Sequence, residues 1–475
     1  MDFALLLVPV IGAIAVLAVR TDRVRPLLLL ATGAAHLGVT IAVLAGAATS
    51  TGGDWLWLDP PGRIVLGLVS LLFFGCAVYA VGYLRAREGR PNRVFVACLC
   101  ALLASITLAV LARHLGLMWV AIEASALAAA PLIYFNHNAR SIEATWKYLL
   151  VGSVGVALAL LGTFFLAYSA IRSGATTSLR FDDLAAAGPQ LSTPWLKAAF
   201  VLLLVGYGTK MGLAPMHTWK PDAYGEAPGL AGALLAGGVT SAAFLAILRV
   251  LRICHAAGEG PFANRLLVLM GLVSMGVAGA LMVGQKDFKR MLAYSSVEHM
   301  GILALGVGLG GAAATGAWFH LLYNGLTKGA LFLAAGNIHR AFGSKDVGRL
   351  RGAARVLPVS GPVFLAAFLA ITGSPPFAPF FSEFAIIAGA VEAGAWVSVT
   401  VFLLGLAVIF VGMGAIVLRI VQGAPPEDLE PVTFGDSLLT AGPPLALLLL
   451  VLLLGLWVPS PLRALVEGAA LLGGR

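Results

Sequence analysis

Roughly fourteen apolar runs, each long enough to cross a bilayer, succeed one another along this chain. They lie at 3–20, 27–47, 64–84, 94–112, 115–134, 146–171, 195–219, 229–251, 265–284, 289–309, 312–341, 358–391, 395–421 and 437–458. A helix needs about 20 apolar residues to span the hydrocarbon layer, where every backbone polar group must be satisfied within the protein. The expected fold is therefore an all-α polytopic membrane protein of about 14 transmembrane helices. Charged residues are 11% of the chain and hydrophobic ones 60%, against roughly 25% charge in soluble domains. The start, MDFALLLVPVIGAIAVLAVR, has no basic segment of the kind that precedes a cleaved signal, so the first run is expected to be retained.

The net charge of +9 does not point to nucleic acid, because the cations sit in alternate short loops. Nineteen of the 31 basic residues fall in one set, including Arg20/Arg23/Arg25, Arg85/Arg87/Arg90/Arg93, Lys220, Lys286/Lys289/Arg290 and Arg340 through Arg355. That set is expected to face the cytoplasm, placing both termini on the outer side of the plasma (inner) membrane. An even helix count requires the termini to share a side, so the two expectations agree.

Two runs are interrupted. In VGYGTKMGLAPMHTWKPDAYGEAP (205–228), Lys210 lies at membrane depth, where a charge costs at least about 2.5–3.5 kcal/mol. Pro215 lacks the N–H a continuous helix needs, so the helix should unwind near Met211. In TGSPPFAPFFSEF (372–384), Pro375, Pro376 and Pro379 precede Glu383. The breaks fall in the seventh and twelfth runs, five spans apart, so they should cross in opposite directions, as inverted repeats require. The expected segments are an N-terminal three-helix part (1–92), two five-helix halves (93–255 and 256–421) and a C-terminal helix with tail (422–475). Lys210 should stand at the carbonyl end of a half-helix, and Glu383 in the first turn of the next, each matched to the local dipole.

Other buried ionisable groups line up with these. Glu123 is mid-span; the alternative to a functional role is a structural ion pair. His320, Asn324 and Lys328 follow i, i+4, i+8 spacing and share one helix face. Glu298 and His299 lie toward the cytoplasmic end of their helix, where interfacial anchoring of Glu298 is equally consistent. His36 reads as a packing residue. Lysine, glutamate and histidine are the side chains whose protonation neighbours and hydration can move toward working pH, so the set Glu123, Lys210, His320, Lys328 and Glu383 suits proton transfer. His217, Thr240, Ser241, Glu298, His299 and Asn324 could support it.

Soluble-enzyme motifs do not compete. The sequence has no G-x-x-x-x-G-K-[ST] phosphate loop, no H-E-x-x-H helix and no C-x-x-C pair. The four cysteines lie in or beside apolar helices without metal-ligand spacing. No metal or cofactor is expected in this chain, and any redox cofactors belong to partner subunits.

PMHTWKPDAYGEAP, DFKRMLAYSSVEHMG and the SEF after the proline-rich break resemble the antiporter-like proton-translocating subunits of complex I, multisubunit cation/proton antiporters and membrane-bound hydrogenases. LMWVAIEASALAAAPLIYF, SIEATWKYLL and AGNIHRAFGSKD are most similar to the F component of hydrogenase-4-type complexes. The resemblance, covering roughly 60–420, implies fourteen core helices and two inverted five-helix units, each holding half of a proton path. It implies that Glu123 and Lys210 serve the first half, His320 and Lys328 the central axis, and Glu383 the second. It also implies partners: other antiporter-like membrane subunits and a peripheral redox arm. Two departures stand out. Where relatives usually bear a lysine or histidine on the eighth helix, linking the halves, GGVTSAAF here offers only Thr240 and Ser241, and Asn324 replaces a histidine some relatives carry. A sodium/proton antiporter or solute-uptake subunit, and a passive membrane anchor for an oxidoreductase, are the rival readings.

Overall fold

The computed structural model describes residues 2–46, 53–87, 90–427 and 434–471. The last position of the expected second helix, part of the basic loop 85–93 and part of the segment 422–475 lie outside the described residues. Three helices come first: α1 (Asp2–Ala18), α2 (Arg25–Leu44) and α3 (Pro60–Arg85). The next group is α4 (Arg93–Leu111), α5 (Leu115–Ile133), α6 (Ala139–Arg172), the short α7 (Phe181–Ala186), α8 (Thr193–Met211), α9 (Lys220–Glu226), α10 (Gly229–Leu234) and α11 (Thr240–Ala256). Then come α12 (Gly260–Met282), α13 (Phe288–Leu309), α14 (Gly311–Phe342), the one-turn α15 (Ala353–Val356), α16 (Ser360–Ile371), α17 (Ala378–Glu392) and α18 (Trp396–Val421). The chain closes with α19 (Leu438–Leu456) and α20 (Ser460–Leu471). Among the described residues there is no β-strand, only three isolated bridges between loops.

Eleven helical stretches among the described residues are long and apolar enough to cross a membrane. The polar α14 and both halves of the second break do not meet that criterion, and α1 is apolar but shorter. Helix ends follow local chemistry. Asp59 caps α3 by accepting from the Gly62 N–H at 2.9 Å, with Pro60 and Pro61 in the first turn. Asn138 and Ser141 form a reciprocal capping box that starts α6 at Ala139, seven residues before the apolar run expected at 146. The extra two turns carry Arg140 and Glu143, so hydropathy alone does not see them.

From the start of α10 to Leu251 of α11 every residue is buried, so this stretch runs through the inside of the bundle. A π-turn over 235–239 joins the two helices. By contrast, α6 turns a stripe outward at Trp146, Leu150, Val154, Leu161 and Phe164. Such a stripe at helical spacing is what a bilayer-facing helix presents. Helices α6 and α8 approach through small residues: a Cβ at Gly206 would lie 2.6 Å from the Ala159 backbone nitrogen, the close packing that membrane helices use. The later pair α14 and α17 packs in the same manner, Gly316 standing against Ile386.

Buried polar nodes join the segments. Arg249 of α11 makes a two-pronged ion pair with Asp59, at 2.7 and 3.0 Å, and donates to the carbonyls of Ala109, Val110 and Ala112. Asn337 of α14 accepts from Tyr79 Oη at 2.8 Å and donates to Ser360 Oγ and the Thr440 carbonyl. His36 is satisfied by Thr107 at 3.1 Å and Ser70 at 2.9 Å, a packing residue as its isolation suggested.

Candidate functional site: a row of buried charges through two broken helices

The first break is built by a glycine, two prolines and borrowed partners. Helix α8 ends at Met211, and Gly212 takes the left-handed conformation (φ +82°) open to it without strain, returning its N–H to Gly208. Pro215 follows, then a single 3-10 turn over 216–219 and α9, with Pro221 in its first turn. Backbone groups freed by the break find side chains: Trp219 Nε1 donates to the Thr209 carbonyl at 2.8 Å, and Ser274 accepts from the Ala214 N–H at 2.9 Å. Lys210 is thus in the last turn of α8, where helix carbonyls favour a cation.

Lys210 is 1% exposed, and its Nζ stands 3.6 Å from Glu123 Oε2 of α5. Glu123 is only partly buried and accepts from Ser153 of α6 at 3.3 Å. Gly152 makes room for the ammonium, since a Cβ there would lie 2.7 Å from Nζ, and the Tyr148 ring covers it at 5.6 Å. His217, in the 3-10 turn, is buried and tilted toward Tyr294 with ring centroids 6.4 Å apart.

The second break differs in one respect from the sequence expectation. Helix α16 stops at Ile371, α17 begins at Ala378, and Pro379 occupies its second position. Glu383 is therefore in the second turn of α17, not the first; its carboxylate reaches back against Gly373, where a Cβ would collide with it. That glycine sits in the break with φ +69°, and the proline-rich turn 372–377 consumes the residues that would otherwise have begun the helix.

Between the breaks lies a connected set. Lys328 of α14 donates to Ser295 of α13 at 2.7 Å. His299 Nδ1 and His320 Nε2 face each other at 3.0 Å, and His320 Nδ1 meets Ser382 of α17 at 3.0 Å. Glu298 Oε2 is 4.0 Å from His299 Nε2. Glu298 is 1% exposed and sits mid-helix, so its interfacial reading is set aside. Asn324, one turn from both His320 and Lys328, is buried with its carbonyl oxygen unpaired. Thr240 and Ser241 return their hydroxyl protons to the Ala236 and Gly237 carbonyls of the π-turn that precedes them, at 2.6 and 2.7 Å.

Eleven buried side-chain atoms among the described residues lack a protein hydrogen-bond partner, and seven belong to this row. They are on Glu123, Lys210, His217, Glu298, His299, Asn324 and Glu383. Donor atoms of His299, His320 and Glu383 also lie within 4.8 Å of one another, a metal-compatible trio by residue type. The direct imidazole–imidazole contact makes a hydrogen-bonded pair the simpler description.

Two buried lysines beside the row were assigned elsewhere by sequence. Lys220, counted above among cytoplasmic loop cations, is completely buried at the start of α9 and donates to Ser296 at 3.3 Å. Lys289, counted with it, is also buried and donates to the carbonyls of Gly225 and Ala227 at the end of α9. Polar neighbours made both look like loop residues. Only the proline at 221, compatible with a helix start, hinted that Lys220 belongs to an element inside the bundle.

A bundle of apolar helices with two broken helices and a buried row of lysine, histidine and glutamate defines a polytopic ion-handling membrane protein. Residues 112–412 match the family described as NADH:quinone oxidoreductase/Mrp antiporter, TM, and the chain belongs to that family. It is 34% identical over 398 residues to the hydrogenase-4 component F homolog of Methylacidiphilum infernorum, covering 79% of this chain and 82% of the relative. It is 36% identical over 389 residues to NADH-quinone oxidoreductase subunit N of Desulforudis audaxviator, covering 77% and 76%. A chain of respiratory complex I from Thermus thermophilus superposes with a TM-score of 0.77 at 29% identity, over 95% of this chain and 97% of that one.

Proposed function

We propose that this chain is a proton-translocating, antiporter-like subunit of a redox-driven membrane complex of the hydrogenase-4 or complex I type. The observation that carries the reading is the buried row itself: Glu123–Lys210 in one half, and Lys328, Glu298, His299, His320 and Glu383 in the other. Buried polar atoms without protein partners are the lining that ordered water requires. A file of water between titratable groups moves protons by short exchanges, without large motion of the protein. Nitrogen-bearing groups dominate the row, which suits proton exchange better than the all-oxygen cages that hard metal cations prefer. On this reading the halves 93–255 and 256–421 form an inverted pair, and both termini lie on the outer side of the inner membrane.

Redox cofactors on this reading belong to a peripheral arm, and neighbouring membrane subunits complete the path. The test is proton uptake into membrane vesicles bearing the assembled complex, normalised to its turnover with NADH or H2. Lys210→Ala and Glu123→Gln should remove most of the uptake while subunit levels stay near normal. Full uptake in both would refute the reading and leave a passive anchor.

A further inference from the structure

Lys220 has no role in the path as described, yet its surroundings are not those of a structural lysine. Its side chain is fully buried. Among the described residues it forms no ion pair; its hydrogen bond is to the Ser296 hydroxyl at 3.3 Å. It begins helix α9, and a helix start is the end where the backbone favours anions. The buried Lys289 offers a direct contrast, because its ammonium closes two free carbonyls at the other end of the same helix. The chain also keeps a place open for Lys220. Gly212 lies against its stem, and a Cβ there would stand 2.8 Å from Nζ.

Position adds to this. Lys220 follows the break that bears Lys210, and Tyr148, Trp219 and Tyr224 form an aromatic file along that break, with successive ring centroids 5.1 and 5.9 Å apart. Tyr148 covers Lys210 at 5.6 Å and Tyr224 covers Lys220 at 5.7 Å. On the other side, Ser296 is the sequence neighbour of Ser295, whose hydroxyl accepts from Lys328. Two adjacent serines on α13 therefore hold one lysine from each half. The central helix, where Thr240 and Ser241 bond back to their own backbone, supplies no basic group between them.

We propose that Lys220 is the protonatable link between the two halves, exchanging a proton with Lys328 across the Ser296–Ser295 pair. In the transfer one N–H bond of the Lys220 ammonium breaks, leaving a neutral amine, and one N–H bond forms on a neutral Lys328 amine. The serine hydroxyls each accept one proton and release another, so they end unchanged; no electrons change hands, and one positive charge moves between halves. The proposal rests on the proton-translocation reading above.

The experiment uses the assembled complex in native membrane vesicles, energised with NADH or with H2, whichever it oxidises, and reads protons taken up per turnover. Lys220→Met and Lys220→Arg should both lose most of the uptake, since arginine keeps the charge but does not release its proton in the working range. Lys220→His should recover part of it, which a purely structural lysine would not. Wild-type uptake per turnover in Lys220→Arg would overturn the proposal. Should the Lys220 variants fail to assemble, Ser296→Ala decides: reduced uptake supports the link, and an unchanged ratio overturns it. Lys210→Ala is run alongside. If it loses uptake while the Lys220 and Ser296 variants keep it, the link fails and the broader reading stands; if Lys210→Ala itself pumps normally, both fail.

Discussion

Two kinds of buried charge coexist here, and they respond differently to mutation. Arg249 and Asp59 saturate each other, with three carbonyls taking the remaining guanidinium hydrogens. Removing one member leaves an uncompensated ion in a dry site, which costs about 3–5 kcal/mol. Arg249→Ala should therefore lower the melting temperature of the purified complex strongly, or prevent its accumulation. Lys147, half exposed between Glu143 and Asp222, is a surface pair worth about 0–1 kcal/mol, and Lys147→Ala should melt close to wild type. Lys210 and Glu123 are instead 3.6 Å apart, longer than a hydrogen bond and thus free to exchange partners. The sequence exposes Lys210, Lys328 and Glu383 because each interrupts an apolar run. It hides Lys220, because histidine, proline and aspartate around it resemble a loop.

At the scale of elements, the breaks were legible and the helix starts less so. Pro215 and the cluster at 375–379 mark the interruptions by chemistry alone, whereas the start of α6 depends on a capping box above the apolar run. The position of Glu383 required knowing where α17 begins. Packing between α6 and α8 also depends on residues whose value lies in being small. Gly206→Val would drive a side chain into the Ala159 backbone, and overpacking of this kind costs about 1–3 kcal/mol or more. The expected result is reduced complex levels with any remaining complex unstable in detergent. Outside the membrane, the Arg180 guanidinium holds Asp183 below its usual carboxylate range through a bidentate contact at 2.7 and 3.0 Å. Because the folded pKa is depressed, this contribution is present above the unfolded value, near 4, and is lost as pH falls through the folded value. Protection from hydrogen exchange in the segment 173–192, taken relative to the intrinsic exchange rate at each pH, should therefore fall below about pH 4 and stay constant between pH 6 and 8.

For the whole molecule, the alternation of basic loops argues a definite orientation even though Lys220 and Lys289 must be removed from the count. A reporter placed within 173–192 should read outside, and one within 345–355 inside. A cytoplasmic signal from 173–192 with one from 345–355 also inside would overturn the helix count and, with it, the inverted pairing of the two breaks. On the proposed reading a proton passes through Lys210, and proton uptake per redox turnover in vesicles carrying Lys210→Arg measures this passage directly. Arginine preserves the positive charge beside Glu123 but does not give up its proton in the working range. The expected result is an assembled complex that turns over with most of its proton uptake lost. Uptake at the wild-type ratio would contradict it, and would reduce Lys210 to a fixed charge.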